Sequence, residues 1–496
     1  TLRKATLLFA GRLPSASELQ EIKNADESEL RDAIRNQMNS AGFTDFLMES
    51  ANNRLFTETF SINLFDVVNR YYYPDSQQYY YVPNFAGSER RLVAQALAEE
   101  PLRLIANVVE NERPYTQILT ADYIMMNPYS ARVYGGLGNF PNQFIASDWQ
   151  EGEITEYFRC SICIRNNESS YADFSIPTVY PHAGILNSPA FLQRFPSTST
   201  NRNRARARWA YYLFLGVDIE GLSQRTTEPS ALSDESNPTL NNQNCTVCHN
   251  IMDPVAGAFQ NYSDTGLYRP QPGGGHALPG SYRRDGSGLY QFGDTWYADM
   301  LEPGFNGELA PNPDNSLQWL AQQFVNDSRF GFGTVNFWYP AVIGREALEK
   351  PLNPEDSDYP VKQAAYLDEF GLMNQIASDF VAGSHGNGAH NLKDLLVDLV
   401  MSDYFRASSL SSPTAQNLSQ LNDVGVGRLL SPEQLNRKLI ATTGYYWDYN
   451  EANSLVDVYR LTYGGIDSMG ITERADELTA LMSTVVVAMA NETSCD

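Results

Sequence analysis

Cysteine is scarce in this chain: five occur among 496 residues, too few for disulfides to build the scaffold. Basic residues are outnumbered, with 35 Lys and Arg against 59 Asp and Glu and a net charge of −24. That balance argues against a nucleic-acid groove, which needs clustered cations, and no nucleic acid is expected among the partners. It favours solubility and steers basic partners inward. Long apolar runs are missing too. The longest candidate, Val485 to Ala490, is far short of the ~18 residues of a membrane span, so no transmembrane segment is expected. Charged residues are only 19% and aromatics reach 12%, which excludes the charge-rich, aromatic-poor composition of a disordered chain. At roughly 150 residues per domain the length is that of two to four domains.

What is present reads mainly as helix. Ser15 with Glu18, and Asp26 with Glu29, have the spacing at which two side chains reciprocally cap a helix start. Apolar residues recur at three- and four-residue intervals from Arg90 to Val109, with Pro101 marking a break or kink. A tyrosine-rich, proline-punctuated stretch, 71–85, reads as an ordered loop. A clear helix, 207–217, follows an arginine-rich turn. From Pro270 to Asn315 glycine and proline dominate, with a short hairpin expected near Asp285-Gly286. Helical periodicity returns at 316–330, 361–383 and 391–405, at a helix start marked by Ser431, Pro432 and Gln434, and over 471–490.

The fold class expected is therefore mainly α, with several helical subdomains around a loop-rich centre and little β. The expected divisions are a helical domain over 1–112, a core over 113–270, the Gly/Pro-rich excursion over 271–317, a helical domain over 318–410 and a helical segment over 411–496. Thr1 is not an initiator Met, and the chain stops at Asp496 just after an apolar helix-like stretch. Both ends are expected to be cut, with a further domain or an assembly contact beyond the C-terminal one.

One motif carries chemistry. Cys245-Thr-Val-Cys248-His249 is CxxCH, the c-type haem attachment signature. Two thiols three positions apart can add to the two vinyl groups of one porphyrin, and the adjacent imidazole then serves as proximal ligand to the iron. The competing readings are a redox CxxC or half a zinc site. The first normally sits on a βαβ background, which this pattern lacks. The expectation is one covalent haem c held by Cys245, Cys248 and His249. Asp253-Pro254, directly after the motif, is expected to stop the helix and turn the chain.

Cys160 and Cys163 form a second CxxC, but Ile164 stands where a haem would need His. A local disulfide suits the oxidising compartment in which c-type haem is attached. A bridge from one of the two to Cys495 is an alternative. A four-cysteine zinc site would need a far shorter gap than that from Cys163 to Cys245.

The sixth ligand is open between His, Met and no protein ligand. His276, His385 and His390 lie in glycine-rich turns that read as surface. His182, in the loop-rich centre and leading into an apolar segment, is the candidate distal ligand, or else a satisfied structural histidine. Met125 and Met126 are weaker candidates, since most methionines fill cores. Arg202, Arg204, Arg206 and Arg208 make a local basic run upstream of Trp209. They suit two haem propionates, or equally a helix start salt-bridged to nearby acids.

The stretch CTVCHNIMDPVAGAFQNYSDTG resembles the haem-binding segment of cytochrome-c-like domain families first described in planctomycetes and also found in marine proteobacteria. There CxxCH is followed by Asp-Pro, a Gly a few residues on, and an aromatic-x-x-x-Gly ending. ILTADYIMMNPYSARVYG resembles the upstream domain of the same proteins. PHAGILNSPAFLQRFPSTSTNRNRARARWAYYLFLGVDI resembles the segment leading into the haem. FAGRLPSASEL, NLKDLLVDLVMSDYFRAS and LLSPEQL resemble flanking helical domains. The resemblance implies an exported haem-binding protein, periplasmic or at the surface of a Gram-negative bacterium, whose relatives are often large and multi-domain.

Three functions follow as expectations. The first is electron transfer to a redox partner with a basic docking face. The second is a haem enzyme of peroxidase or oxygenase type with an open distal site. The third is a structural or surface-assembly protein with haem as a staple.

Overall fold

The computed structural model describes residues 1–57, 87–134, 136–154, 180–197, 201–222, 227–232, 238–262, 301–312, 315–407, 414, 429–450, 452–466, 471, 474–475 and 477–495. Helix dominates it. The strands are two or three residues long and form isolated antiparallel pairs.

In chain order the principal elements begin with α1 (Leu2–Ala10), α2 (Ala16–Glu21), α3 (Glu27–Gln37), α4 (Ala41–Leu55) and α5 (Gly87–Glu110). Next come β1 (Ile124–Met126), β2 (Gln150–Gly152), α6 (Pro189–Arg194), α7 (Arg204–Leu215) and α8 (Gln243–Ala258). They are followed by β3 (Gly304–Phe305), β4 (Glu308–Leu309), α9 (Ser316–Asn326) and α10 (Arg329–Ile343). The series ends with α11 (Tyr359–Ala382), α12 (Leu392–Met401), α13 (Pro432–Thr443) and α14 (Ala480–Cys495).

The capping boxes at Ser15, Asp26 and Ser431 all form, each side chain accepting from the backbone N–H three residues on. Elsewhere local signals yield to packing. α5 runs through Pro101 without a break, because the residues around it, Ala98, Leu102 and Ile105, are fully buried. α14 starts at Ala480, later than the apolar pattern suggested, and reaches Cys495. The expected hairpin near Asp285 lies outside the described residues. A different one forms at β3–β4, where Asn306 and Gly307 both take positive φ, 51° and 87°, as a two-residue primed turn requires.

The chain forms two compact units, 1–56 with 338–496, and 57–337. In the first of these, 1–56 packs with the C-terminal part of the chain. In the first unit Phe9, Phe43 and Phe46 make an aromatic core against Trp338. Arg31 pairs there with Asp398, and Arg35 with Asp394. A separate cluster gathers Leu439, Trp447, Leu455, Tyr463, Met482 and Val485. The second unit holds the CxxCH motif. Its α8 packs against α7, α9, β3 and the 3-10 turn Ile219–Leu222.

Candidate haem-attachment site

α8 carries Cys245, Cys248 and His249, at i, i+3 and i+4 on one helical face. Its start is capped by Asn242, whose side chain accepts from the Asn244 N–H at 3.0 Å. Both thiols are free and half-buried. Cys248 Sγ donates toward the Ile219 carbonyl at 3.5 Å. Burial, then the charges of Glu220 and Cys245, push its thiol pKa up.

The helix does not stop at Asp253-Pro254, as the sequence suggested, but continues to Ala258. Pro254 forfeits only the bond to the carbonyl of Asn250, an exposed residue that water can serve. Beyond it Val255, Ala256 and Ala258 are wholly or almost wholly buried, and that burial favours one more turn. Gly257 lets this turn pass the chain at 301–303: a Cβ there would sit 2.7 Å from the Leu301 carbonyl oxygen.

The extra turn keeps Asp253 on the helix, one turn from His249. His249 Nδ1 lies 3.0 Å from Asp253 Oδ1. From α7, Arg204 grips both carboxylate oxygens, Nε to Oδ1 and Nη2 to Oδ2, each at 2.8 Å. Asp253 is fully buried. Burial alone would raise its pKa, but the bonds and charges of Arg204 and His249 outweigh it and hold the carboxyl below its ordinary value. An ionised carboxylate only accepts, so Nδ1 of His249 carries a proton and Nε2 is the ring nitrogen left for another partner. Sequence reasoning gave Asp253 a turning role and missed this contact. The i, i+4 spacing from His249 was the available signal.

The other arginines of the run have partners of their own. Arg206 is fully buried and donates to the carbonyls of Leu192, Phe195 and Tyr262 and to Asn203 Oδ1. Arg208 pairs with Asp218 and Glu220. Arg202 stands at the turn before α7 with a positive φ of 47°.

His182 is buried, 7% exposed. Its Nε2 accepts a long hydrogen bond from the Ile154 N–H at 3.4 Å, and its Nδ1 has no partner among the described residues. Burial lowers its pKa to about 4 against a small opposing effect of Asp122, so the ring is neutral, as an iron ligand must be. Met125 and Met126 are buried in β1, opposite Glu151 and Gln150 of β2. Met126 packs on Gly152. His385 bonds Asp398 at 3.0 Å and Arg31, and half-buried His390 lies edge-on to Phe380; both belong to the first unit. Cys160, Cys163 and His276 lie outside the described residues.

The donor set suits a c-type haem. Two reachable thiols share a face with an imidazole whose Nε2 is its remaining donor. Nearby Leu222 and Ile251, 47% and 37% exposed, leave apolar surface in water. Among the described residues no group of three or more His, Cys, Asp or Glu is placed to hold a metal ion. No helix there is long and apolar enough to cross a membrane.

Fold and motif together define a mainly helical chain with a CxxCH helix. The model of the family described as PSCyt3, Protein of unknown function (DUF1588), matches residues 182–272, from His182 past the motif. The model of PSD4, Protein of unknown function (DUF1592), matches residues 8–135. Both are cytochrome-c-like domain families of planctomycete type. No curated protein and no solved structure matches.

Proposed function

We propose that this chain is an exported c-type cytochrome-like protein that carries one covalent haem and passes single electrons to a redox partner. The observation that carries the reading is the shared face of Cys245, Cys248 and His249, with His249 Nδ1 taken by Asp253. Cys245 and Cys248 would form the thioether links and His249 Nε2 would bind the iron. The haem, when bound, supplies the one-electron couple. The residues of α8 and α7 do the rest. They orient the imidazole, fix its tautomer and bury the charge that faces it. The net charge of −24 favours a donor or acceptor with a cationic docking face and makes association salt-sensitive. Covalent attachment would need an oxidising compartment, which supports the periplasm or the surface of a Gram-negative cell, the setting the family resemblance implies.

The test is haem staining after denaturing electrophoresis of protein made with a haem-attachment system, beside Cys245→Ala/Cys248→Ala. A stained wild type and an unstained variant are expected. An unstained wild type overturns the proposal.

One observation favours the enzyme reading as a second. His182, the candidate distal ligand, has its Nε2 already bonded to the Ile154 N–H, which leaves only Nδ1 for the iron. Optical spectra with carbon monoxide separate the two: binding to the reduced iron supports an open distal site, and an indifferent low-spin iron supports the carrier.

A further inference from the structure

The strongest unassigned feature is the chain of contacts Arg204, Asp253, His249. A purely structural ion pair would need only the first two. Arg204 and Asp253 already satisfy each other with two parallel 2.8 Å bonds, and the His249 side chain is 21% exposed, so water could serve its ring. Instead the imidazole turns its Nδ1 onto a carboxylate that is wholly out of solvent. In such surroundings a hydrogen bond to a full negative charge is shorter and stronger than one to a neutral acceptor.

Resting on the haem reading above, we propose that Asp253 is the positioning residue of the proximal side. Clamped by Arg204, it locks His249 with Nε2 toward the iron and lends the ring part of an imidazolate's donor strength. Arg204 has two effects. It keeps the buried carboxylate charged, and it fixes the carboxylate plane so that one oxygen meets His249. A metal-bound imidazole hydrogen-bonded to a carboxylate is a more basic ligand than one bonded to a neutral group. A more basic ligand favours the oxidised iron, so the pair sets the potential of the site lower than the motif alone would.

The experiment uses the haem-loaded full chain and compares wild type with Asp253→Asn and with the double variant Arg204→Gln/Asp253→Asn. The single variant leaves the half-buried Arg204 guanidinium without its anion and carries a folding penalty. The double variant removes both charges of the pair together, so folding is less burdened and the long-range charge effects nearly cancel. What remains is the loss of the anionic acceptor on His249.

Circular dichroism and haem staining first establish that fold and attachment persist. The expected result is a midpoint potential raised by the equivalent of at least a tenfold change in the oxidised-to-reduced ratio, ~59 mV for a one-electron couple. The ferric paramagnetic resonance g values should move with it. A loaded double variant with wild-type potential and g values overturns the positioning role and leaves the haem reading standing. A wild type that never stains for haem overturns both.

Discussion

Arg206 spans two segments of the second unit: its guanidinium donates to the Leu192 carbonyl from one side and reaches the Tyr262 carbonyl from the other. Five N–H donors in a rigid plane make this possible, and a lysine ammonium cannot reproduce it. The residue ties the end of α6 and the turn after α8 to α7. Removing it leaves several buried carbonyl oxygens short of a donor.

Arg206→Ala should therefore destabilise the haem-free chain by about 3 kcal/mol or more, and Arg206→Lys should recover only part of that. Denaturant melts of the haem-free protein measure it. If Arg206→Lys melts like wild type while only haem loading falls, the guanidinium belongs to a propionate after all.

His182 makes stability depend on acid. Its pKa is about 4 in the fold against ~6.5 unfolded. Between those values the unfolded chain binds a proton that the folded chain does not. Stability therefore rises with pH there, and the contribution is complete above about 6.5 and lost as pH falls toward 4. The full span is about 3 kcal/mol. Melts from pH 4 to 7 should lose that component of slope in His182→Gln, and an unchanged slope would refute it.

Glu100 acts in the opposite sense. It is buried beneath Tyr134, whose hydroxyl donates to it at 2.5 Å. Burial raises its pKa to about 8, and the tyrosine bond only partly opposes this. Here the folded chain holds the proton between ~4.5 and 8. The stabilising contribution is complete below 4.5 and lost as pH rises through 8, amounting to about 3 kcal/mol by pH 7. Glu100→Gln should thus be more stable than wild type at pH 7.5 and comparable at pH 4.5. Equal stability at both pH values would count against a neutral Glu100.

Gly257→Ala should cost about 1–3 kcal/mol, because its Cβ would meet the Leu301 oxygen at 2.7 Å and Pro303 N at 3.0 Å, and backbone atoms cannot rotate aside. Gly221→Ala, which meets nothing within 4 Å, is the control. Similar melting temperatures for the two variants would refute the close approach.

Much of the architecture was legible beforehand, for a local reason. The caps at Ser15, Asp26 and Ser431 join residues three apart, and such contacts depend on little else. The Asn306-Gly307 hairpin was equally local and was overlooked amid the glycine and proline around it, although that dipeptide is a strong hairpin signal. Neither Pro101 nor Pro254 ends its helix, because a proline's cost is local, whereas the burial that outweighs it comes from other elements.

The candidate site divides the same way. CxxCH and its helical face were readable from five consecutive residues. The company kept by the arginines was not: Arg204 meets Asp253 across 49 positions, and Arg206 meets Tyr262 across 56.

By itself, then, the sequence determined where helices begin and which thiols and imidazole stand together, because those contacts lie within one or two helical turns. Only the tertiary structure decided that one arginine clamps the acid behind His249 while its neighbour two residues on is buried among carbonyls. Along α7 those two side chains point some 200° apart, and what each meets depends on how separate segments pack.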